Sequence, residues 1–186
     1  MPQVPFLKFL PVTINMGIWV FIWLWIGLQY NLVLWIPFIS WAMWYMVGPA
    51  LSLRKKRFHK NLIGALGGTF YAAAFIALIP VFSTIFGNFA IPVLGFLAGM
   101  TIVLLELTDW FEYAVAYFFT FAGYFAYAFG GFGPAGWVQG IAYYLALILA
   151  GFALGFITDS LRFYLLRAQG LTDESMQKTI FDKEIT

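Results

Sequence analysis

From Phe9 to Leu53 the chain carries no charged residue, and from Asn61 to Leu166 charges are few. A helix rises about 1.5 Å per residue and a hydrocarbon core is about 30 Å thick, so one crossing takes roughly 20 residues. The first run has room for two crossings and the second for four. Polar or glycine-rich breaks divide them: Gln29-Tyr30-Asn31, then Gly87-Asn88 before Pro92, then Thr108-Asp109-Trp110-Phe111-Glu112, then Gly130-Gly131-Phe132-Gly133-Pro134. The pattern predicts an all-α transmembrane bundle of about six spans, near 10–29, 32–52, 62–86, 90–108, 112–130 and 136–160. If the Phe/Tyr-rich stretch 111–130 lies in the interface, the count falls to five. Pro37 and Pro49 fall within the second span, where neighbouring helices must satisfy the freed carbonyls.

Composition agrees. Of 186 residues, 63% are hydrophobic and 10% charged, against roughly 25% charged in a soluble domain. The segment after Lys8 runs past the usual signal-peptide core with no small-residue cleavage site, so it reads as a retained first helix.

Charge then sets orientation. With the N-terminus cytoplasmic, Lys8, the cluster Arg54-Lys55-Lys56-Arg57-Phe58-His59-Lys60, and Arg162, Arg167, Lys178 and Lys183 all lie inside, which accounts for all 10 basic residues. The positive-inside rule therefore predicts both termini in the cytoplasm and the 54–60 cluster in a cytoplasmic loop. The bundle is expected over 1–167. Residues 168–186 form a cytoplasmic polar tail in which Thr172 can N-cap a short amphipathic helix, with Met176 and Ile180 as its apolar edge; a plain solvated tail is the alternative.

Helices in lipid associate through close packing and hydrogen bonds. Small residues four apart permit that approach at Gly64/Gly68, Gly95/Gly99 and Gly151/Gly155, with Gly136/Gly140 a fourth pair. In the fifth span Tyr113, Tyr117, Thr120, Tyr124 and Tyr127 fall within about 80° of arc, a single hydroxyl-tipped stripe. It suits either a path for a small hydrogen-bonding solute or bonds to neighbouring helices and aromatic belts.

Charges inside a span are costly and tend to be functional. Glu106 qualifies, and Asp109 and Glu112 follow at three-residue steps along one helical side. This carboxylate cluster suits a hard cation, a pore vestibule, or pairing with the 54–60 cations at a solvated helix end. Asp159 and Arg162, three apart, are expected to pair locally.

The chemistry that is missing narrows the function. The sequence has no cysteine and one histidine, His59, which reads as a solvated loop residue. Thiolate sites are excluded, haem would have to rely on Met or Tyr, and no cofactor or metal is expected. No phosphate loop, nucleophile elbow or metal-helix motif appears, so an enzyme is not expected, and the absence of a basic face argues against nucleic acid.

Ile22-Trp23-Leu24-Trp25 leading into Leu32, Trp35 and Phe38, with Thr120-Phe121-Ala122-Gly123 and the glycines Gly151 and Gly155, resembles a bacterial inner-membrane family known as domain of unknown function 1097. The resemblance covers most of 20–160. It implies a small helical membrane protein of the bacterial inner membrane and brings no activity and no functional residues. The chain differs in its N-terminal segment, its Phe/Trp content and its tail after 167. Two roles follow as expectations. One is a small neutral-solute channel or facilitator, working as a homo-oligomer. The other is an accessory subunit bound to other membrane subunits through aromatic faces and the tail, which the 22% aromatic content permits.

Overall fold

A computed structural model describes residues 6–47, 51–132 and 137–171, with the side chain of Trp137 excepted. Among these residues no strand occurs. Six α-helices follow in order: α1 Phe6–Gln29, α2 Trp35–Met46, α3 Leu51–Phe86, α4 Ala90–Leu104, α5 Ala114–Phe129 and α6 Trp137–Ala168. Three segments are long and apolar enough to cross a membrane: Phe6–Gln29, Leu51–Leu107 and Val138–Ala168. The middle one is broken where Gly87 takes a φ of +52°, a left-handed conformation that glycine adopts without steric cost.

The breaks fall where polarity and glycine place them, but lengths differ from expectation. The predicted second span, 32–52, holds a helix of 12 residues, about 18 Å at the standard rise. Residues 48–50, including Pro49, lie outside the described set. The 54–60 cluster is not a loop: α3 begins at Leu51 and runs 36 residues, roughly 54 Å. Lys and Arg are good helix formers, and neither Gly nor Pro interrupts 51–60, so nothing stops the helix there. His59 is accordingly helical and exposed, with its ring 5.5 Å from that of Trp110. At the other end, α6 closes at Ala168 with Leu171 N–H donating to the Leu166 carbonyl and Gly170 at a φ of +77°, a glycine-terminated helix stop. Residues 172–186 of the expected tail lie outside the described residues.

The chain divides into two compact units, Met1–Phe58 with Leu149–Thr186, and His59–Ile148, so that α3 and α6 each contribute to both. In the first unit α1 runs antiparallel to α6: Asn15 Nδ2 donates to the Thr158 carbonyl (3.2 Å), Val12 packs with Phe163 and Leu166, and Lys8 Nζ donates to the Gln169 carbonyl (3.2 Å). Helix α2 runs parallel to α6, with Gly151 against Pro37 and Ser40 and Gly155 against Trp44. A side chain at Gly151 would overlap the Pro37 carbonyl oxygen, so this seam requires glycine.

The second unit has an equivalent seam. Helix α5 runs parallel to α3, with Gly64 on Ala116 and Gly68 on the Tyr117 carbonyl and the Thr120 hydroxyl. Ile102 of α4 packs with Tyr71, Ala114 and Tyr117, so α4 returns antiparallel to α3. The first half of α6 is antiparallel to α5, placing Gly140 against Tyr127 and Tyr144 beside Tyr124. Gly95 and Gly99 pack on nothing: a side chain at either would have open space within 4 Å. Gly136 lies outside the described residues.

A buried polar cluster as the candidate functional site

Asp159 sits in the last third of α6 and is fully buried. Its carboxylate accepts from the Arg54 guanidinium, 3% exposed, and from the Trp44 indole N–H at 3.3 Å. Residues 41, 44, 45 and 54 supply four side chains aimed at two adjacent α6 residues. Trp41 Nε1 donates to Thr158 Oγ1 at 3.0 Å, and the Tyr45 hydroxyl lies 2.9 Å from the same oxygen. Thr158 Oγ1 donates back to the Leu154 carbonyl at 2.8 Å. With its one proton so committed, it accepts from both Trp41 and Tyr45, and its capacity is full. The Arg54 guanidinium also lies over the Tyr45 ring, 4.8 Å from the centroid.

Two buried polar atoms on the same stretch of α6 have no partner. Ser160 Oγ and Arg162 Nε are buried and bond to nothing, while the Arg162 guanidinium lies over the Phe9 ring at 5.8 Å. Buried polar groups are nearly always satisfied, so two orphans within one turn of α6 need an explanation. The expected local pair between Asp159 and Arg162 does not form. Asp159 instead bonds to Arg54, because α3 delivers a guanidinium to the same side of α6 as Trp44.

The hydroxyl stripe of α5 is interior packing. Tyr117, Thr120, Tyr124 and Tyr127 are buried and Tyr113 is half-buried. Thr120 Oγ1 donates to the Ala116 carbonyl at 2.9 Å, the Tyr144 hydroxyl donates to the Thr120 carbonyl at 3.1 Å, and Tyr117 packs on Gly67 and Tyr71. Tyr124, Tyr127, Tyr143 and Tyr144 form a cluster of tilted and edge-on rings, and the Tyr127 hydroxyl is buried without a partner.

Glu106, Asp109 and Glu112 do not share a helical side. α4 ends at Leu104, one tight turn covers Leu105–Leu107, and Thr108 is extended (φ −114°, ψ 147°). Thr108 Oγ1 accepts from the Phe111 N–H at 3.2 Å, a local turn bond that competes with further helix. Glu106 and Asp109 are exposed, and Glu112 accepts from Lys60 at 2.6 Å. Among the described residues no group of three His, Cys, Asp or Glu is placed to hold a metal.

The arrangement around Asp159 was only half visible in the sequence. In the sequence Asp159 falls at the end of the last expected span, three residues from Arg162. Trp44 bonds its carboxylate while Trp41 and Tyr45 bond Thr158, and these three residues of one α2 face read as packing from their helical spacing alone. The model of the DUF1097 family, described as a protein of unknown function, matches residues 13–162. The chain belongs to the DUF1097 family. No curated protein and no solved structure matches it. The DUF1097 match includes every residue of the cluster from Trp41 to Arg162.

Proposed function

We propose that this DUF1097 protein is a six-span protein of the bacterial inner membrane, with both termini cytoplasmic, that passes a small uncharged hydrogen-bonding solute across the bilayer. An even number of crossings is supported by the mutual bonding of Lys8 and Gln169: Gln169 Nε2 also donates to the Lys8 carbonyl at 2.9 Å, tying the start of α1 to the end of α6. Helix directions alternate along the chain within each unit, and the positive-inside rule favours the joined ends inside, with the 54–60 cations at the start of α3 on the same side.

The observation that carries the solute reading is the sealed Arg54–Asp159 pair, with unpartnered donors at Ser160 and Arg162 on the same stretch of α6. Ionisable groups inside apolar helices cost free energy and mark solute paths by default. This pair is neutral overall, so it offers no net attraction to an ion. Ser160 Oγ–H and Arg162 Nε–H are free to donate to a carbonyl or hydroxyl oxygen. The protein carries out no bond-making chemistry in this reading, and the α5 stripe is wall rather than path.

Stopped-flow light scattering of proteoliposomes, with urea and glycerol as probes, tests it. Permeation should exceed that of empty liposomes. Tyr45→Phe or Thr158→Val should lower it about two- to tenfold, the effect of one hydrogen bond of roughly 0.5–1.5 kcal/mol, while Tyr124→Phe should not. Loss with Tyr124→Phe and none with Tyr45→Phe would return the path to the stripe.

A second reading, an accessory subunit of a larger membrane complex, is favoured by an apolar groove lined by Trp44, Phe58, Phe152 and Phe156 with Lys55 at its side. Such a groove suits an apolar helix of another membrane subunit. Native mass spectrometry from the protein's own membrane separates the two, since fixed stoichiometry with other chains favours the subunit and a homo-oligomer of this chain alone favours the facilitator. Deleting 168–186 should detach a partner held by the tail.

A further inference from the structure

The two glycine seams are the same seam twice. In the first unit the position of a Cβ at Gly151 meets the Pro37 carbonyl and the Ser40 hydroxyl; in the second, at Gly68, it meets the Tyr117 carbonyl and the Thr120 hydroxyl. The seam residues of α2 and α5 are thus 80 apart (37 and 117, 40 and 120), and the glycines of α3 and α6 are 83 apart (68 and 151). The same two shifts carry other contacts across. Thr158 bonds Trp41 and Tyr45, and 83 residues earlier Phe75 packs against Phe121 and Phe125, each 80 beyond its counterpart, with ring centroids at 5.7 and 4.9 Å. Arg57 donates to the Val47 carbonyl, and at the shifted positions Gly140 packs on Tyr127. One pair of shifts therefore predicts the neighbours of three positions on the third helices.

The sequences keep a faint trace of this. At the shift of 80, Phe38 meets Phe118, Ala42 meets Ala122, Ser40 meets Thr120, and Trp41, Trp44 and Tyr45 meet Phe121, Tyr124 and Phe125. At the shift of 83, Leu62, Leu66, Gly68 and Leu78 meet Leu145, Leu149, Gly151 and Leu161. The extra three residues are taken up before α6.

We propose that residues 6–86 and 87–168 are two copies of one three-helix repeat with opposite membrane orientation, each packing its first two helices on the third helix of the other, and that the Trp41–Tyr45–Thr158–Asp159 seam is where one copy of an aromatic packing site became a solute-handling site. Three crossings per copy make the second copy inverted, the construction that recurs in secondary transporters. The second unit acts as an internal control: the same helix register closes with Phe75, Phe121 and Phe125, so the fold does not require polar groups there. The solute half of the proposal rests on the proposed function; the repeat half does not.

The chain has no cysteine, so single cysteines report topology cleanly. Asn31 and Phe111 are exposed and related by the shift of 80. In intact cells a membrane-impermeant maleimide should label Asn31→Cys but reach Phe111→Cys only after permeabilisation. Labelling of both from one side overturns the repeat. The second arm copies one seam into the other with Trp41→Phe, Tyr45→Phe and Thr158→Phe together, a swap that nearly conserves volume. The variant should stay monodisperse, melt within about 4 °C of wild type, the shift of roughly 1 kcal/mol in a chain this size, and lose urea and glycerol permeation at least tenfold. An aggregated variant, or one that still passes both probes, overturns the claim that this seam diverged for solute handling. A wild type that passes neither probe removes the solute role, while labelling and melting still decide the repeat.

Discussion

Thr158 and Phe75 hold equivalent places on α6 and α3, facing a pair of aromatic side chains one turn apart on a parallel helix. At Thr158 those neighbours point an indole N–H and a phenol at a hydroxyl, and the next residue carries a buried carboxylate. At Phe75 the neighbours are rings at 76° and 85° to it, an edge-on stack with no polar atom. The second unit does hold polar groups: Thr120 and Thr69 both bond carbonyls four residues back, the Tyr144 hydroxyl bonds the Thr120 carbonyl, and the Tyr127 hydroxyl is buried without a partner. The first unit differs in joining indole, phenol and guanidinium groups to a hydroxyl and a carboxylate of α6, with Ser160 Oγ and Arg162 Nε unpartnered on the same helix. Hydroxyls returned to their own helix satisfy lipid without adding function, whereas an interhelical network with spare donors can take a guest.

The largest effect should come from unbalancing the ion pair. Asp159→Ala leaves the Arg54 guanidinium buried with its carboxylate gone, and removing one partner of a buried pair costs about 3–5 kcal/mol. The double variant Arg54→Met/Asp159→Leu should recover most of that loss in thermal melts, because it removes both charges. If Asp159→Ala melts like wild type, the pair is hydrated and the contrast between the units collapses.

Next come the seams. Gly151→Val and Gly68→Val each force a side chain into a backbone carbonyl, and overpacking costs typically 1–3 kcal/mol. Because the seams are equivalent, the two losses should match closely in parallel melts, while Gly95→Val, which meets open space, should stay within about 0.5 kcal/mol. A large gap between the two seam variants would mean that one unit tolerates separation of its helices and the other does not.

The helix breaks at Asn31, Gly87, Thr108 and Gly130 were legible because polarity and glycine act locally. The positions of Gly64, Gly68, Gly151 and Gly155 were legible as small-residue pairs, but the same spacing at Gly95 and Gly99 meets nothing, since spacing does not say which face finds a neighbour. The start of α3 is not legible from the charged run, because charge ends a membrane span but Lys and Arg propagate a helix readily. Three-residue spacing puts the three carboxylates on one face only if helix continues through Thr108, whose hydroxyl starts a turn instead. A hydroxyl stripe that lines a path and one that meets tyrosines of α6, as on α5, have the same sequence. Asp159 was assigned its nearest cation in sequence, Arg162, while the bonded one, Arg54, is 105 residues away; no periodicity encodes that distance.

Tyr144→Phe should show the smallest effect and sharpen the comparison most finely. The Tyr144 hydroxyl donates to the Thr120 carbonyl at 3.1 Å within the second unit, and that carbonyl already belongs to α5. Interhelical hydrogen bonds of this kind average about 0.6 kcal/mol and reach about 1.7. In the first unit Tyr45→Phe removes a phenol from Thr158, which keeps the Trp41 donor and its bond to Leu154, so its stability cost should be of the same order. Melts should therefore barely separate the two variants, while permeation should separate them sharply, falling with Tyr45→Phe and holding with Tyr144→Phe. Equal permeation after both would leave the two units differing in chemistry but not in role.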